Sequence, residues 1–179
     1  MAHSKKPSES HRVLAKATEE LSRENTPDSP VVQDLRRETA NAFVLYANYK
    51  HYHWQVYGPH FRELHKLFDK FAAEVLETLD PLAERVRMIG PNPPAHPLEM
   101  ADLASVAPAA PGSTVHDMIE EADRNVLVVI REMRRAARTA DEHEDPGTVD
   151  LLSKLVQIHE KHEWWLRDML KPGDGLSLS

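Results

Sequence analysis

Apolar residues recur every three or four positions along most of this chain, the spacing of one face of an α-helix. The clearest stripe predicts a helix from about Phe61 to Met88. The stripe consists of Leu64, Leu67, Phe68, Phe71, Val75, Leu76, Leu79, Leu82, Val86 and Ile89. The same period predicts an earlier helix that starts after Pro30 and runs to about Tyr57. Because only a Gly-Pro turn separates the two, we expect them to form an antiparallel hairpin.

The second half of the chain repeats this arrangement after a proline-rich crossover. The run PNPPAHP at 91–97 excludes helix, and a short helix is expected at about 98–104. A third long helix follows a cap at Ser113 or Thr114 and runs to about Arg138. The fourth extends from about Thr148 to Leu170.

This pattern predicts an all-α protein, a four-helix bundle with a short extra helix in the crossover between the second and third helices. We place the bundle at residues 30–171, after a flexible polar N-terminal arm at 1–29 and before a short C-terminal tail at 172–179. The chain has 179 residues, with only six glycines and no cysteine, which fits a helical protein without disulfides or thiolate metal ligands.

Charge and hydropathy narrow the class of partner. The formal net charge of -7 disfavours general attraction to nucleic acid and favours a surface that draws in cations. Neither an apolar leader nor a membrane-spanning run is visible in the sequence. We therefore expect a cytoplasmic protein with no membrane partner.

The second helix carries two pairs of potential metal ligands. His65 and Asp69 are four residues apart, and so are Asp80 and Glu84. The eleven residues from Asp69 to Asp80 are close to three turns, so the pairs share one side but lie roughly 16 Å apart. Metal to ligand bonds are only about 2 Å long, so one metal cannot join them within a chain. Two antiparallel copies related by a two-fold axis near Val75 would bring the pairs together at the dimer interface.

A fifth donor comes from the first helix. His53 and His65 lie six residues either side of Pro59, so the hairpin should place them face to face. Histidine and carboxylate ligands suit Fe(II), Zn²⁺ or Mn²⁺, and the absence of thiolates argues against a structural zinc site. A set with three carboxylates favours a hard, higher-valent product such as ferric iron, which points to oxidation of iron.

These residues form an ungapped pattern that resembles the Dps family, the mini-ferritins. The motifs that carry the resemblance are His53-Trp54, Gly58-Pro59, His65-x3-Asp69, Leu79-Asp80-x3-Glu84-Arg85 and Gly90. The resemblance covers about Val31 to Leu170 and implies a ferritin-like bundle. It also implies a ferroxidase site with His53, His65 and Asp69 from one subunit and Asp80 and Glu84 from its neighbour. Trp54 matches a tryptophan beside that site, suited to absorbing stray oxidising equivalents.

The function implied by the resemblance is iron storage and detoxification. Such a protein oxidises Fe(II) with hydrogen peroxide or dioxygen and keeps the ferric mineral in a hollow shell, protecting DNA from oxidative damage. The implied assembly is a homododecamer built from two-fold dimers. The metal is iron, and Zn²⁺ would fit the same ligands, so a helical oligomer that uses zinc only for assembly is an alternative.

A second alternative is a DNA-binding, DNA-compacting structural protein, nucleoid-associated, with weak or vestigial ferroxidase activity. Its contacts would come from Lys5, Lys6 and Arg12 in the arm. Acidic residues in the arm balance these cations, so a solvated tail is the competing interpretation.

Two further sets of residues are candidates. The resemblance places acidic residues around three-fold pores for Fe(II) entry, and Asp145 and Asp150 match that region; the competing interpretation is a solvated loop that caps two helices. His162, three residues after His159, is a candidate auxiliary metal ligand. The competing interpretation is a packed imidazole hydrogen-bonded to the neighbouring helix.

Overall fold

The computed structural model describes residues 26–173 and the isolated positions 9, 12, 13 and 16. Over residues 26–173 the secondary structure is entirely helical, which confirms the predicted all-α class. The helices are α1 (Pro30–Gln55), α2 (Phe61–Met88), α3 (Pro97–Leu103), α4 (Val115–Glu142) and α5 (Pro146–Met169). The short α3 lies in the crossover, as predicted. None of the helices described is long and apolar enough to cross a membrane.

The observed helix ends follow local chemistry. Thr114 begins α4 with a capping box, in which its hydroxyl accepts from the Asp117 amide and the Asp117 carboxylate accepts from the Thr114 amide. These hydrogen bonds from Thr114 hold the pKa of Asp117 below its ordinary value. At its other end α4 continues beyond Arg138 to Glu142, because the intervening residues include neither glycine nor proline. It stops before Glu144, whose φ of 55° is left-handed.

The two hairpins pack into one bundle. The α1–α2 pair and the α4–α5 pair each form an extensive contact, and α1 against α4 and α2 against α5 close the core. Tyr49, Tyr52, Phe68 and Phe71 are fully buried at its centre. Burial of each such side chain contributes about 1.5–3 kcal/mol, so these rings are a principal source of stability.

Two asparagines on α1 fasten the crossover to the bundle. The Asn41 carbonyl accepts from the backbone amides of Ser105 and Val106, at 2.7 and 3.2 Å. Two turns later, Asn48 donates to the Ala107 carbonyl and accepts from the Ala109 amide, both at 2.8 Å. Both asparagine side chains are buried, and they supply hydrogen bonds to a non-helical segment of which Val106 is buried and the rest is exposed or partly exposed.

We predict that Asn48→Ala destabilises the fold, because two backbone groups of the crossover lose their partners. Each unsatisfied group costs about 1–3 kcal/mol, and because both groups are only partly buried the free energy of unfolding should fall by the lower part of the summed range, about 2–4 kcal/mol. Urea denaturation followed by far-UV circular dichroism measures this. Gln33→Ala, at an exposed position of the same helix, is the control and should unfold like the wild type. Equal midpoints for Asn48→Ala and the wild type would show that the crossover is held by other contacts.

Candidate metal centre

His53 on α1 and His65 on α2 face each other across the hairpin. Their rings stack with centroids 3.7 Å apart. The Nδ1 of His53 lies 2.7 Å from the His65 carbonyl oxygen, and the Nδ1 of His65 lies 2.8 Å from the His53 carbonyl oxygen. A carbonyl only accepts, so each Nδ1 carries the hydrogen and donates it. In the neutral ring Nε2 then holds a free lone pair, the arrangement common in histidine metal ligands.

Asp69 lies beside this histidine pair. Its Oδ1 is 4.0 Å from the Nε2 of His53 and 2.7 Å from the ammonium of Lys50. The hydrogen bond from Lys50 holds the pKa of Asp69 below its ordinary value, so the carboxylate is ionised at neutral pH. The ammonium of Lys50 therefore lies next to an Asp69 oxygen that a metal cation would also bind.

The second pair of donors does not join this cluster. Asp80 and Glu84 are exposed on the far half of α2, and among the described residues no three His, Asp or Glu side chains gather into a complete metal site. Each chain therefore presents one candidate half-site with His53, His65 and Asp69, and another candidate half-site with Asp80 and Glu84.

The surface between the half-sites is apolar. Ala73 and Leu76 are exposed there, and Leu76 has 46% of its surface accessible. At 100° per residue they share the side of α2 that carries Asp69 and Asp80. Val75, which lies at the level of the expected two-fold axis, is itself fully buried in the bundle core. The exposed centre of this face is therefore formed by Ala73 and Leu76.

Comparison with known proteins assigns the family. Residues 32–174 match the family model described as Ferritin-like domain. The "DNA protection during starvation protein" of Brevibacillus brevis is 34% identical over 137 residues, which cover 76% of this chain and 92% of the relative. The chain belongs to the Dps family of ferritin-like proteins.

Solved Dps structures share the whole bundle. The X-ray structure of Dps from Thermosynechococcus elongatus superposes with a TM-score of 0.80 and 45% identity, covering 90% of this chain and 99% of that chain. Dps from Listeria innocua, in a structure soaked with zinc, superposes with a TM-score of 0.75 and 27% identity, covering 78% of this chain and 95% of that one.

Trp54 follows His53 in the sequence and lies beside the candidate half-site. Its side chain is 67% exposed, and the ammonium of Lys50 lies 5.9 Å from its ring centroid. Lys50 therefore contacts both Asp69 and Trp54. Among the residues that the structure describes, the Trp54 indole has no hydrogen-bond partner, and its ring faces solvent.

The two acidic pore candidates have different surroundings. Asp145 caps α5 by accepting from the Thr148 amide, and its carboxylate pairs with Arg85 at 2.5 Å. Burial raises its pKa, but the Thr148 and Arg85 contacts outweigh this and hold it below its ordinary value. Asp145 is thus ionised but neutralised by a cation. Asp150 is exposed on the first turns of α5 and pairs with Lys154, one turn later, at 2.6 Å.

The close approach of Arg85 depends on Gly147. A Cβ at that position would lie 2.8 Å from an Arg85 Nη atom. The sequence motif that ends in Glu84-Arg85 predicts a role for Glu84. The role of Arg85 depends on its contact with Asp145, 60 residues later in the chain, which no local pattern shows.

His162 lies inside the bundle. It is fully buried, its ring stacks on Phe71 with centroids 4.0 Å apart, and its Nε2 lies 2.7 Å from a Glu74 carboxylate oxygen. Among the described residues, neither His162 nor His159 forms a hydrogen bond or a ring contact with His53, His65 or Asp69. The structure therefore places His162 in the core, hydrogen-bonded to the neighbouring helix, the competing interpretation given above.

Of the three arm residues expected to contact DNA, the structure describes one. Lys5 and Lys6 are outside the described residues. Arg12 is described, and it is helical and exposed.

We predict that Lys50→Met raises the affinity of the half-site for divalent cations. The variant removes the ammonium that competes for Asp69, and because this pair is exposed the gain should be modest, on the order of two to five times. Isothermal titration with Zn²⁺ measures it. Lys66→Met removes the same charge from an exposed position on α2 and is the control. An equal gain in both variants would mean that net charge, not the Asp69 contact, sets the affinity.

We predict that His159 makes the fold sensitive to acid. Burial lowers its pKa from 6.5 to about 3, so between these values the unfolded chain binds a proton that the folded chain does not. Stability should therefore decrease as the pH falls through this window, by at most about 1.4 kcal/mol per pH unit. In His159→Phe this decrease should be shallower in urea titrations from pH 7 to 4 at fixed protein concentration. His116→Phe, at an exposed position, should follow the wild type, and parallel curves for all three proteins would contradict the assignment.

Proposed function

We propose that this Dps-family chain is a ferroxidase and iron-storage protein. It binds Fe(II) between two subunits, oxidises it with hydrogen peroxide or dioxygen, and retains the ferric product as mineral inside a hollow shell. Iron is here the substrate. By removing Fe(II) and peroxide together, the protein protects DNA from oxidative damage.

The observation that supports this proposal best is the reciprocal hydrogen bonding of His53 and His65. It holds both rings in the tautomer that keeps Nε2 free for a metal, and it places Asp69 beside them. A pair of stacked histidines that served only for packing would not require an adjacent ionised carboxylate. The donor set of nitrogen and oxygen atoms, without sulfur, suits Fe(II) and also admits Zn²⁺.

The remaining ligands come from the partner in this proposal. A two-fold dimer that packs the Ala73 and Leu76 surface against its copy brings Asp80 and Glu84 of one chain to the histidine half-site of the other. Burial of the exposed Leu76 side chain supports association at this place. Each dimer then has two equivalent sites, and repetition of the dimers in a dodecamer encloses the storage cavity.

The electron balance favours peroxide as oxidant. Two Fe(II) ions supply the two electrons that convert one hydrogen peroxide and two protons into two water molecules, so no hydroxyl radical is released. The three carboxylates offset the charge that each iron gains on oxidation, while the histidines hold the Fe(II) before reaction. Trp54, at the edge of the site, is placed to donate an electron if only one iron is present.

Entry of Fe(II) falls to the acidic turn between α4 and α5. Asp150, on the first turns of α5, is the better of the two candidates, because its ion pair with Lys154 is solvent-exposed and weak, whereas Asp145 is largely buried against Arg85. Three copies around a shell axis would form an acidic ring that concentrates cations.

We predict that Asp80→Asn slows Fe(II) oxidation by at least about tenfold, because one metal ligand is lost. Stopped-flow absorbance after mixing apo-protein, Fe(II) and hydrogen peroxide measures the rate. Glu77→Gln removes an exposed carboxylate on the same helix and should retain the wild-type rate. Wild-type oxidation by Asp80→Asn would refute the ferroxidase proposal, and binding of Zn²⁺ without iron oxidation in the wild type would favour a zinc assembly site.

A mixing experiment tests the intersubunit site. One variant carries His65→Ala with Asp69→Ala, and the other carries Asp80→Ala with Glu84→Ala, so neither homodimer has an intact site. In a mixed dimer one of the two sites regains all five ligands. Random reassembly should therefore restore about one quarter of the wild-type activity. No recovery in verified mixed dimers would place the site within one chain.

A further inference from the structure

The side chain of Glu38 is buried beside the charged groups that join α1 to α4. Glu38 has 0% of its surface exposed, and its Oε1 atom has no hydrogen-bond partner among the residues that the structure describes. Its Oε2 atom accepts one long hydrogen bond, at 3.3 Å, from the side chain of Asn41. A buried carboxylate needs several donors or a close cation to remain ionised, and one neutral donor does not supply this.

Four charged side chains lie at this junction, and they pair with one another. On α1, Arg37 donates to Asp34, and its Nε lies 3.3 Å from a Glu132 oxygen on α4. Arg135 on α4 pairs with the same two carboxylates, at 3.3 Å to Asp34 and 2.8 Å to Glu132. The two arginines and the two carboxylates therefore balance, which leaves Glu38 without a cation of its own.

These surroundings raise the pKa of Glu38 from 4.5 to about 8. Burial is the largest cause, and the carboxylates of Glu132 and Asp34 add to it. The hydrogen bond from Asn41 and the charge of Arg37 lower the pKa but do not offset the burial. Glu38 is therefore protonated and neutral at neutral pH, the form in which its burial costs least.

Asn41 connects Glu38 to the crossover. Its side-chain nitrogen donates to Glu38, and its side-chain oxygen accepts from the backbone amides of Ser105 and Val106, at 2.7 and 3.2 Å. A movement of the Glu38 carboxyl therefore acts on the same side chain that holds this part of the crossover. Val106 is 2% exposed, so release of its amide would open the adjoining core.

We infer that Glu38 is a proton-dependent latch that joins α1 and α4 to residues 104–107 of the crossover. With its proton, Glu38 stays in the bundle and Asn41 remains on the crossover amides. Without the proton, the carboxylate is drawn toward water and toward Arg37, whose Nε lies 3.9 Å away and has no hydrogen-bond acceptor among the described residues. That movement displaces Asn41 and loosens the crossover.

The direction of the effect follows from the proton balance. Between pH 4.5 and about 8 the closed junction keeps a proton that the open junction, with an ordinary carboxyl group, releases. Opening therefore becomes more favourable as the pH rises through this window, by up to about tenfold per pH unit, and levels off above it. His159 gives the opposite slope between pH 6.5 and about 3, so each group is measured as the difference between the wild type and its own variant.

The test measures hydrogen exchange by mass spectrometry on the full chain in its native assembly, from about pH 5 to about pH 9. Protection is the exchange rate of an unstructured peptide divided by that of the protein at the same pH. It is followed in crossover peptides that contain Ser105 and Val106, and in peptides from the centre of α2. Glu38→Gln keeps the size of the side chain and cannot ionise. Glu77→Gln, at an exposed position of α2, is the matched control.

We expect the protection of the crossover peptides to fall by up to about tenfold per pH unit toward pH 8 in the wild type and in Glu77→Gln. In Glu38→Gln this fall should be absent. At each pH the crossover peptides should be at least about tenfold less protected than the α2 peptides, because the latch opens without unfolding the bundle.

Three results would overturn the inference. A flat wild-type profile would show that opening is not linked to a proton, and an unchanged slope in Glu38→Gln would show that another group titrates. Equal protection of the crossover and of α2 at every pH would show that these amides exchange only when the whole bundle unfolds. If Glu38→Gln does not assemble, the wild-type profile decides, since the buried carboxyl sets its plateau at about pH 8. None of the junction residues belongs to a candidate half-site, so the ferroxidase proposal is tested independently.

Discussion

Two imidazole rings, each hydrogen-bonded to the backbone carbonyl of the other's residue, hold the α1–α2 hairpin at the point where metal donors gather. The geometry of this contact ties three properties together. It fixes the distance between two helices, it gives a partner to the His53 carbonyl in the last turn of α1, and it selects one tautomer for both rings. A change at either histidine would therefore alter the local packing as well as the donor set.

The second constraint is the stiffness of α2. A continuous helix cannot bend far enough to join donors that lie about 16 Å apart, even with Pro81 in its interior. The chain therefore presents two half-sites with an exposed leucine between them. In the proposed two-fold association, a single contact would complete the coordination shell and bury that leucine, so assembly and chemistry would depend on each other.

The sequence predicted those features that depend on local pattern. The bounds of α2, the α1–α2 hairpin and the short crossover helix follow from hydrophobic period and from Gly-Pro or proline-rich breaks. It could not choose between Ser113 and Thr114 as the cap of α4, because both residues are good caps; the reciprocal contact with Asp117 decides for Thr114. The predicted end of α4 at Arg138 comes too early. Thr139, Asp141 and Glu142 carry polar side chains that interrupt the apolar stripe without breaking the helix.

The local hydrophobic pattern cannot predict contacts between residues that are distant in sequence. Nothing near Asp145 shows that Arg85 neutralises it, and nothing near His162 shows that Glu74 receives its hydrogen bond. The basic residues of the N-terminal arm are candidates for DNA contacts because basic tails are easily recognised in a sequence. The arginines of α4 are interleaved with buried core residues, and only the structure shows that Arg124, Arg131 and Arg134 extend into solvent.

The charge of this acidic chain is distributed unevenly along α4 and the turn that follows it. Arginines occupy the exposed face of the helix up to Arg138, and the next seven residues contain four acids and no lysine or arginine. At physiological salt the Debye length is about 8 Å, so charges separated by more than that act nearly independently. The exposed arginines from Arg124 to Arg138 span roughly 21 Å along the helix, so most of them lie beyond the reach of the acidic turn. A single net charge therefore describes neither surface, and the field at each is set by the side chains within one screening length of it.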